Sequence, residues 1–99
     1  MKTYLVVYRP GPAWIPDKPQ AEQPLKEHGQ YMLGLYVQKK LKFAGPFTDA
    51  PGGGAAVFEA EDDEQAKSVV AADPAVTSQV FVADLRPWTL VEWERYLKK

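Results

Sequence analysis

Cysteine is absent from this chain of 99 residues. That excludes disulfides, thiol nucleophiles and thiolate metal sites. Histidine occurs once, at His28, and the carboxylates are scattered, so no protein-ligated metal site is expected. Neither sign of charge dominates: 12 Lys and Arg against 13 Asp and Glu leave a net charge of -1. The largest basic cluster is Lys39, Lys40 and Lys42. It falls far short of the stripe that neutralises a phosphate backbone, so nucleic acid is not an expected partner. No apolar run is long enough to span a bilayer, and no membrane partner is expected. The start Met1-Lys2-Thr3-Tyr4 enters a strand-like run without the apolar stretch and cleavage site of a secretion signal, which points to a cytoplasmic protein. No Ser or Thr stands in a nucleophile motif, so covalent catalysis is not expected. Gly52-Gly53-Gly54 lacks the spacing and the following Lys-Ser/Thr of a phosphate loop, and reads as a flexible turn.

What is present suits one globular domain over residues 1–99, with 45% apolar and 12% aromatic residues. Thr3 to Tyr8 is β-branched and aromatic on both alternating faces and predicts a strand covered on both sides of its sheet. Arg9 to Pro24 carries five prolines (Pro10, Pro12, Pro16, Pro19, Pro24), which excludes regular structure and predicts a long ordered loop. From about Glu22, apolar spacing through Leu25, Met32, Leu35 and Tyr36 predicts a helix. Leu41 and Phe43 suggest an edge strand, Gly45 to Gly54 a connection, and Ala55 to Ala60 a third strand. Asp62, Asp63 and Glu64 open a second helix with acids where its dipole favours them. Gln79 to Leu85 reads as a fourth strand, and Val91, Trp93 and Leu97 as a short amphipathic helical tail ending in solvated lysines.

The order β-α-β-β-α-β predicts an α+β, ferredoxin-like fold: a four-stranded antiparallel sheet with both helices on one face. Its other face would leave apolar strand residues in water, so a homodimer packing sheet against sheet is expected, with Trp88 and Trp93 of the tail as a brace.

In this topology the first helix starts where the second ends. His28, on the first stripe, and Asp73, which follows Ala66, Val69 and Val70 on the second, therefore approach one rim. The proline-rich loop and the Gly45 to Gly54 connection reach the same rim, so a pocket is expected there. A carboxylate ending a helix faces the negative end of its dipole at a cost of about 0.3–1 kcal/mol, which an imidazole partner would offset. The pair would act as acid and base, His28 carrying the proton and Asp73 orienting it. Two plainer readings stand beside this: Asp73-Pro74 is also a helix cap, and a lone histidine often sits at a core edge. Tyr8, Arg9, Trp14, Tyr31 and Phe81 are candidate pocket residues, each with packing or surface exposure as the alternative.

Several segments, in order, carry a family resemblance: Y-L-V-V-Y-R-P-G-P-A-W at Tyr4 to Trp14, H-G-Q-Y-M at His28 to Met32, and A-G-P-F at Ala44 to Phe47. They continue through Glu64-Gln65-Ala66-Lys67, A-A-D-P at Ala71 to Pro74 and R-P-W at Arg86 to Trp88. The chain resembles the YCII-related (YciI-like) proteins. The resemblance implies a dimeric α/β barrel of ferredoxin-like topology and a His–Asp active site at His28 and Asp73. One relative is a dehydrochlorinase of a chlorinated hydroxyhydroquinone, and the fold is similar to that of muconolactone isomerases. Two departures stand out. Leu25 occupies a position where many members have arginine, which argues against an anion clamp there. Lys39 replaces a glycine that usually follows the first helix, and implies a different helix end.

The leading expectation is a cofactor-independent lyase or isomerase acting on a small cyclic or aromatic molecule. Arg9 would offer a cation, Trp14 an aromatic wall, and Tyr8 and Tyr31 further contacts. The rivals are a dimeric ligand-binding or regulatory module without catalysis and, on fold analogy alone, a cofactor-free monooxygenase.

Overall fold

A computed structural model of the chain describes residues 1–49 and 52–97. Ala50 and Pro51 of the Gly45 to Gly54 connection, and the terminal Lys98 and Lys99, lie outside the described residues.

Alternation along the first strand sets the layers. In β1 (Lys2–Pro10), Tyr4, Val6 and Tyr8 are buried, while Leu5 and Val7 between them are half-buried. Successive side chains of a strand point to opposite faces, so one face of β1 meets the core and the other does not. β2 (Leu41–Pro46), β3 (Gly54–Ala60) and β4 (Phe81–Pro87) complete an antiparallel sheet of order β2-β3-β1-β4. Tyr4 lies opposite Phe58 and Val6 opposite Leu85, which puts those residues on the core side. A register shift between Leu41 and Phe43 bends the edge strand β2.

The helices α1 (Lys26–Val37), α2 (Asp63–Ala71) and the single turn α3 (Pro74–Thr77) cover the core side. Leu35 from α1, Ala66 from α2 and Ala75 from α3 are buried there with the strand residues. The result is the ferredoxin-like α+β architecture expected, with α3 added between α2 and β4.

The other face carries Leu5, Val7, Ala55, Val57 and Val82, half-buried, and Phe43, 73% exposed. Two ion pairs sit at that face, Arg9 to Asp84 at 3.2 Å and Lys42 to Glu59 at 3.7 Å. The strand expected to be covered on both sides is thus covered on one within a single chain.

Four local expectations need correction. The first helix begins at Lys26 rather than Glu22, because Pro24 holds Gln23 in an extended conformation (ψ 157°) and ends a separate 3-10 turn at Gln20–Glu22. The fourth strand begins at Phe81, since Gln79 takes a left-handed conformation (φ 65°) after α3. Lys39 does not produce a different helix end. It adopts φ 65°, with its N–H on the Tyr36 carbonyl and that of Lys40 on the Leu35 carbonyl, the bonding pattern of a glycine-terminated helix. The tail is not an amphipathic helix: among the described residues after Trp88 it makes only a 3-10 turn at Trp93–Tyr96, and Trp93 and Leu97 are more than two-thirds exposed.

Candidate functional site

His28 enters the site from the first turn of α1, closer to the helix start than the spacing implied. Asp73 arrives from the junction of α2 and α3. Pro74 cannot continue α2, whose C-cap is Ala72, but its fixed φ suits the first position of a new helix. Asp73 is therefore the N-cap of α3 and not the end of α2. Its Oδ1 accepts the Ala75 N–H at 2.9 Å, at the favourable end of that turn. The dipole cost anticipated for this carboxylate does not arise.

The same carboxylate meets the imidazole. His28 Nδ1 lies 2.8 Å from Asp73 Oδ1 and 2.9 Å from Oδ2. The carboxylate is 1% exposed and the imidazole 17%. An ionised carboxylate only accepts, so Nδ1 carries the proton and donates it, which leaves the lone pair of the neutral ring on Nε2. Nε2 has no hydrogen-bond partner among the described residues. The ring is held edge-on against Tyr8 (centroids 5.4 Å apart) and Phe81 (5.6 Å), which together fix its plane. Capping and orienting, the two readings that stood side by side for Asp73, are performed by one side chain.

A cavity of about 240 Å³ opens beside this pair. Tyr8 of β1, Met32 of α1 and Phe81 of β4 form its apolar wall with Ala44 and Pro46 of β2, and Gln20 reaches it from the proline-rich loop. Burial first, and then the Asp73 charge, push the Tyr8 hydroxyl well above its usual range, so it stays neutral. The hydroxyl lies 3.9 Å from the Met32 sulfur, and a hydrogen-bonding contact with Asp73 adds to the shift. An adjoining shallow recess of about 550 Å³ shares Gln20 and His28 and is edged by Lys26.

The proline-rich loop is ordered by its own side chains. Gln23, 7% exposed, donates Nε2 to the carbonyls of Ile15 and Lys18 and accepts the Ile15 N–H, closing the loop on itself. Gln20 Oε1 accepts the Gly53 N–H at 2.7 Å, tying the loop to the β2–β3 connection. Trp14 stacks on Phe81 and lies against Gly52, where a Cβ would collide with the indole.

The other expected pocket residues fall in different places. Tyr8 lines the cavity, whereas Arg9, Trp14 and Tyr31 do not. Arg9 reaches Asp84, and more than half of each side chain is exposed. Trp14 lines a neighbouring depression with Asp17, Lys18 and Phe47, which meets the cavity at Gln20. The Tyr31 hydroxyl donates to the Val69 carbonyl at 2.6 Å, joining α1 to α2. Burial and the Asp73 charge raise its pKa. Gln20 and Gln23 were not legible beforehand: two glutamines in a loop carry no periodicity, and their roles arise only from which backbone groups the fold brings to them. Among the described residues no group of three or more His, Asp or Glu is placed to hold a metal ion, and no helix is long and apolar enough to cross a membrane.

The four-stranded antiparallel sheet with helices on one face makes this a ferredoxin-like α+β domain. The chain belongs to the YCII family, since the model of the YCII-related domain matches residues 2–89. Among curated proteins it is similar to an uncharacterised protein, YjpA, of Bacillus subtilis (strain 168). The two are 40% identical over 63 residues, which is 64% of this chain and 73% of that one. Among solved structures it is similar to 5-chloro-2-hydroxyhydroquinone dehydrochlorinase (TftG) from Burkholderia phenoliruptrix AC1100 in complex with 2,5-dihydroxybenzoquinone. That match has a TM-score of 0.63 at 19% identity and covers 90% of this chain and 96% of the other. At that identity the likeness speaks for the fold.

Proposed function

We propose that this protein is a cofactor-independent acid/base enzyme of the lyase or isomerase type, acting on a small cyclic or aromatic molecule. One observation carries the reading: Asp73 holds His28 through Nδ1 and leaves Nε2 unpaired beside an apolar cavity. Nε2 takes a proton from a substrate carbon, and Asp73, already in place, stabilises the imidazolium that forms. In an isomerisation the imidazolium returns that proton to another carbon. In a dehydrochlorination the C–H electron pair becomes the new double bond, the C–Cl bond breaks and chloride leaves with its electrons. The dehydrochlorinase of similar fold supports the second course. The His28–Asp73 pair forms the catalytic centre, and Tyr8 completes the binding surface.

The functional unit we propose is a homodimer joined through the open sheet face, where Leu5, Val7, Val57 and Phe43 form an apolar patch on one chain. Sedimentation should give a dimer at micromolar concentration, and a monomer there overturns that assembly.

The enzyme reading is tested by incubating the protein in D2O with hydroxylated aromatics, lactones and cyclic ketones and following deuterium uptake or halide release. The native chain should transform at least one class, and His28→Ala should slow it by about 10²–10⁴-fold. Binding without transformation in every class would make the chain a ligand-binding module instead.

A further inference from the structure

Besides Tyr8 and His28, Gln20 is the only polar side chain lining the cavity among the described residues. Its orientation is set by one bond. The Gly53 N–H donates to Oε1 at 2.7 Å, so the oxygen end of the amide faces Gly53 and the NH2 end faces away from it. Neither N–H of that NH2 group has an acceptor among the described residues. The 3-10 turn that carries Gln20 is in turn fixed by the three hydrogen bonds of Gln23 to Ile15 and Lys18. A donor held in place by a closed loop and left unused by the protein is prepared for a ligand acceptor.

Gln20 shares the cavity and the recess beside it with His28. Among the described residues no Lys or Arg lines the cavity; Arg9 is spent on Asp84, and Lys26 edges only the outer recess. A base at Nε2 removes a proton from carbon only when the electron pair left behind has somewhere to go. With no cation among the described residues lining the cavity, the receiver is a substrate oxygen; the Tyr8 hydroxyl is turned to Met32 and Asp73, which leaves the amide N–H of Gln20 to stabilise it.

Building on the acid/base reading above, we infer that Gln20 is the oxyanion-binding residue of this site and that the substrate is an uncharged ring compound bearing a carbonyl. Its carbonyl oxygen accepts from Gln20 Nε2–H, and the carbon beside that carbonyl faces His28. The C–H proton goes to Nε2, its electron pair forms the enolate C=C bond, and the C=O pair moves onto the oxygen held by Gln20. Return of the proton from the imidazolium to carbon, or expulsion of a leaving group from the enolate, completes the balance.

The test uses 1-indanone and, as the probe lacking oxygen, indane. By NMR, 1-indanone should shift the Gln20 side-chain NH2 resonances and indane should not. Gln20→Glu at pH 8 keeps an acceptor for the Gly53 N–H but has no donor. It should weaken 1-indanone binding by about tenfold, the size of one lost hydrogen bond, and leave indane binding unchanged. It should also slow deuterium exchange at the carbon beside the carbonyl by about 10²-fold. If Gln20→Glu binds 1-indanone as the native chain does while Gln20→Ala loses it, Gln20 only ties the loop to Gly53 and the inference is overturned. Failure of 1-indanone to bind the native chain at millimolar concentration overturns it as well. If binding responds as expected but no proton exchanges in the native chain, the donor stands and the acid/base reading falls. If His28→Ala stops exchange while Gln20→Glu leaves both binding and exchange at native levels, the acid/base reading stands and the donor falls.

Discussion

Two aspartates on opposite faces of the same sheet each hold a nitrogen-bearing side chain. On the open face Arg9 reaches Asp84 at 3.2 Å, with the two side chains 59% and 55% exposed. On the helix side His28 reaches Asp73 at 2.8 Å, with 17% and 1% exposed. The separations are close; the surroundings are not. Water screens the first pair and competes for its hydrogen bonds, so it is worth little. The second aspartate has lost its water and depends on its protein partners, the imidazole and the Ala75 N–H. The comparison teaches that in this fold a charge gains influence from the elements that close over it rather than from its distance to a partner.

The largest break in that comparison comes at the buried aspartate. Asp73→Ala removes the α3 cap and the imidazole's partner together, and should cost about 2–4 kcal/mol in urea denaturation. Asp73→Asn keeps an oxygen for the cap but offers no carboxylate to the imidazole. It should retain most of the stability while slowing turnover by about 10³–10⁴-fold, the scale seen when a histidine loses its orienting carboxylate.

A second buried-to-surface contact responds to pH. The Tyr4 hydroxyl donates to Asp63 Oδ1 at 2.6 Å, and chiefly that bond pushes its pKa from 10.0 up to about 12. The folded chain holds this proton more tightly than the unfolded one. The contribution to stability is therefore complete below pH 10 and drains away toward pH 12, as the unfolded chain alone ionises. Urea midpoints followed through that window should fall for the native chain and fall less steeply for Tyr4→Phe, with Tyr8 sustaining the remainder.

Lys39→Gly sharpens the comparison without touching either pair. It relieves a left-handed lysine at the end of α1 and should raise stability by about 0.5–1 kcal/mol, read from the thermal midpoint. The smallest effect belongs to the exposed pair: Asp84→Ala should change stability by no more than about 0.5 kcal/mol, and less still in high salt. A loss as large as that of Asp73→Ala would refute the contrast between the two faces.

Much of this architecture was legible because side-chain periodicity follows from local geometry. The β-branched and aromatic run from Thr3 to Tyr8 and the three- and four-residue spacing from Leu25 to Tyr36 specify strand and helix without knowledge of the rest of the chain. Connection order then restricted the topology enough to bring His28 and Asp73 to one rim. Element ends were less legible. Lys39 and Gln79 both take the left-handed conformation that glycine adopts at no cost, and only the bonds closing each helix end hold them there. Arg9, Trp14 and Tyr31 sit near the rim in sequence, but side-chain direction sent each to another partner.

The sequence by itself determined the four strands, the two longer helices, their order and the two residues of the pair, because each rests on local periodicity and on a few allowed connections. The tertiary structure alone decided that Asp73 caps α3 while orienting His28, that Gln23 closes the proline-rich loop, and that Gln20 turns its oxygen to Gly53 and keeps its N–H groups unused. Those outcomes depend on which backbone donors and acceptors lie within hydrogen-bonding reach of a side chain, and segments distant in sequence supply them only once the chain has folded.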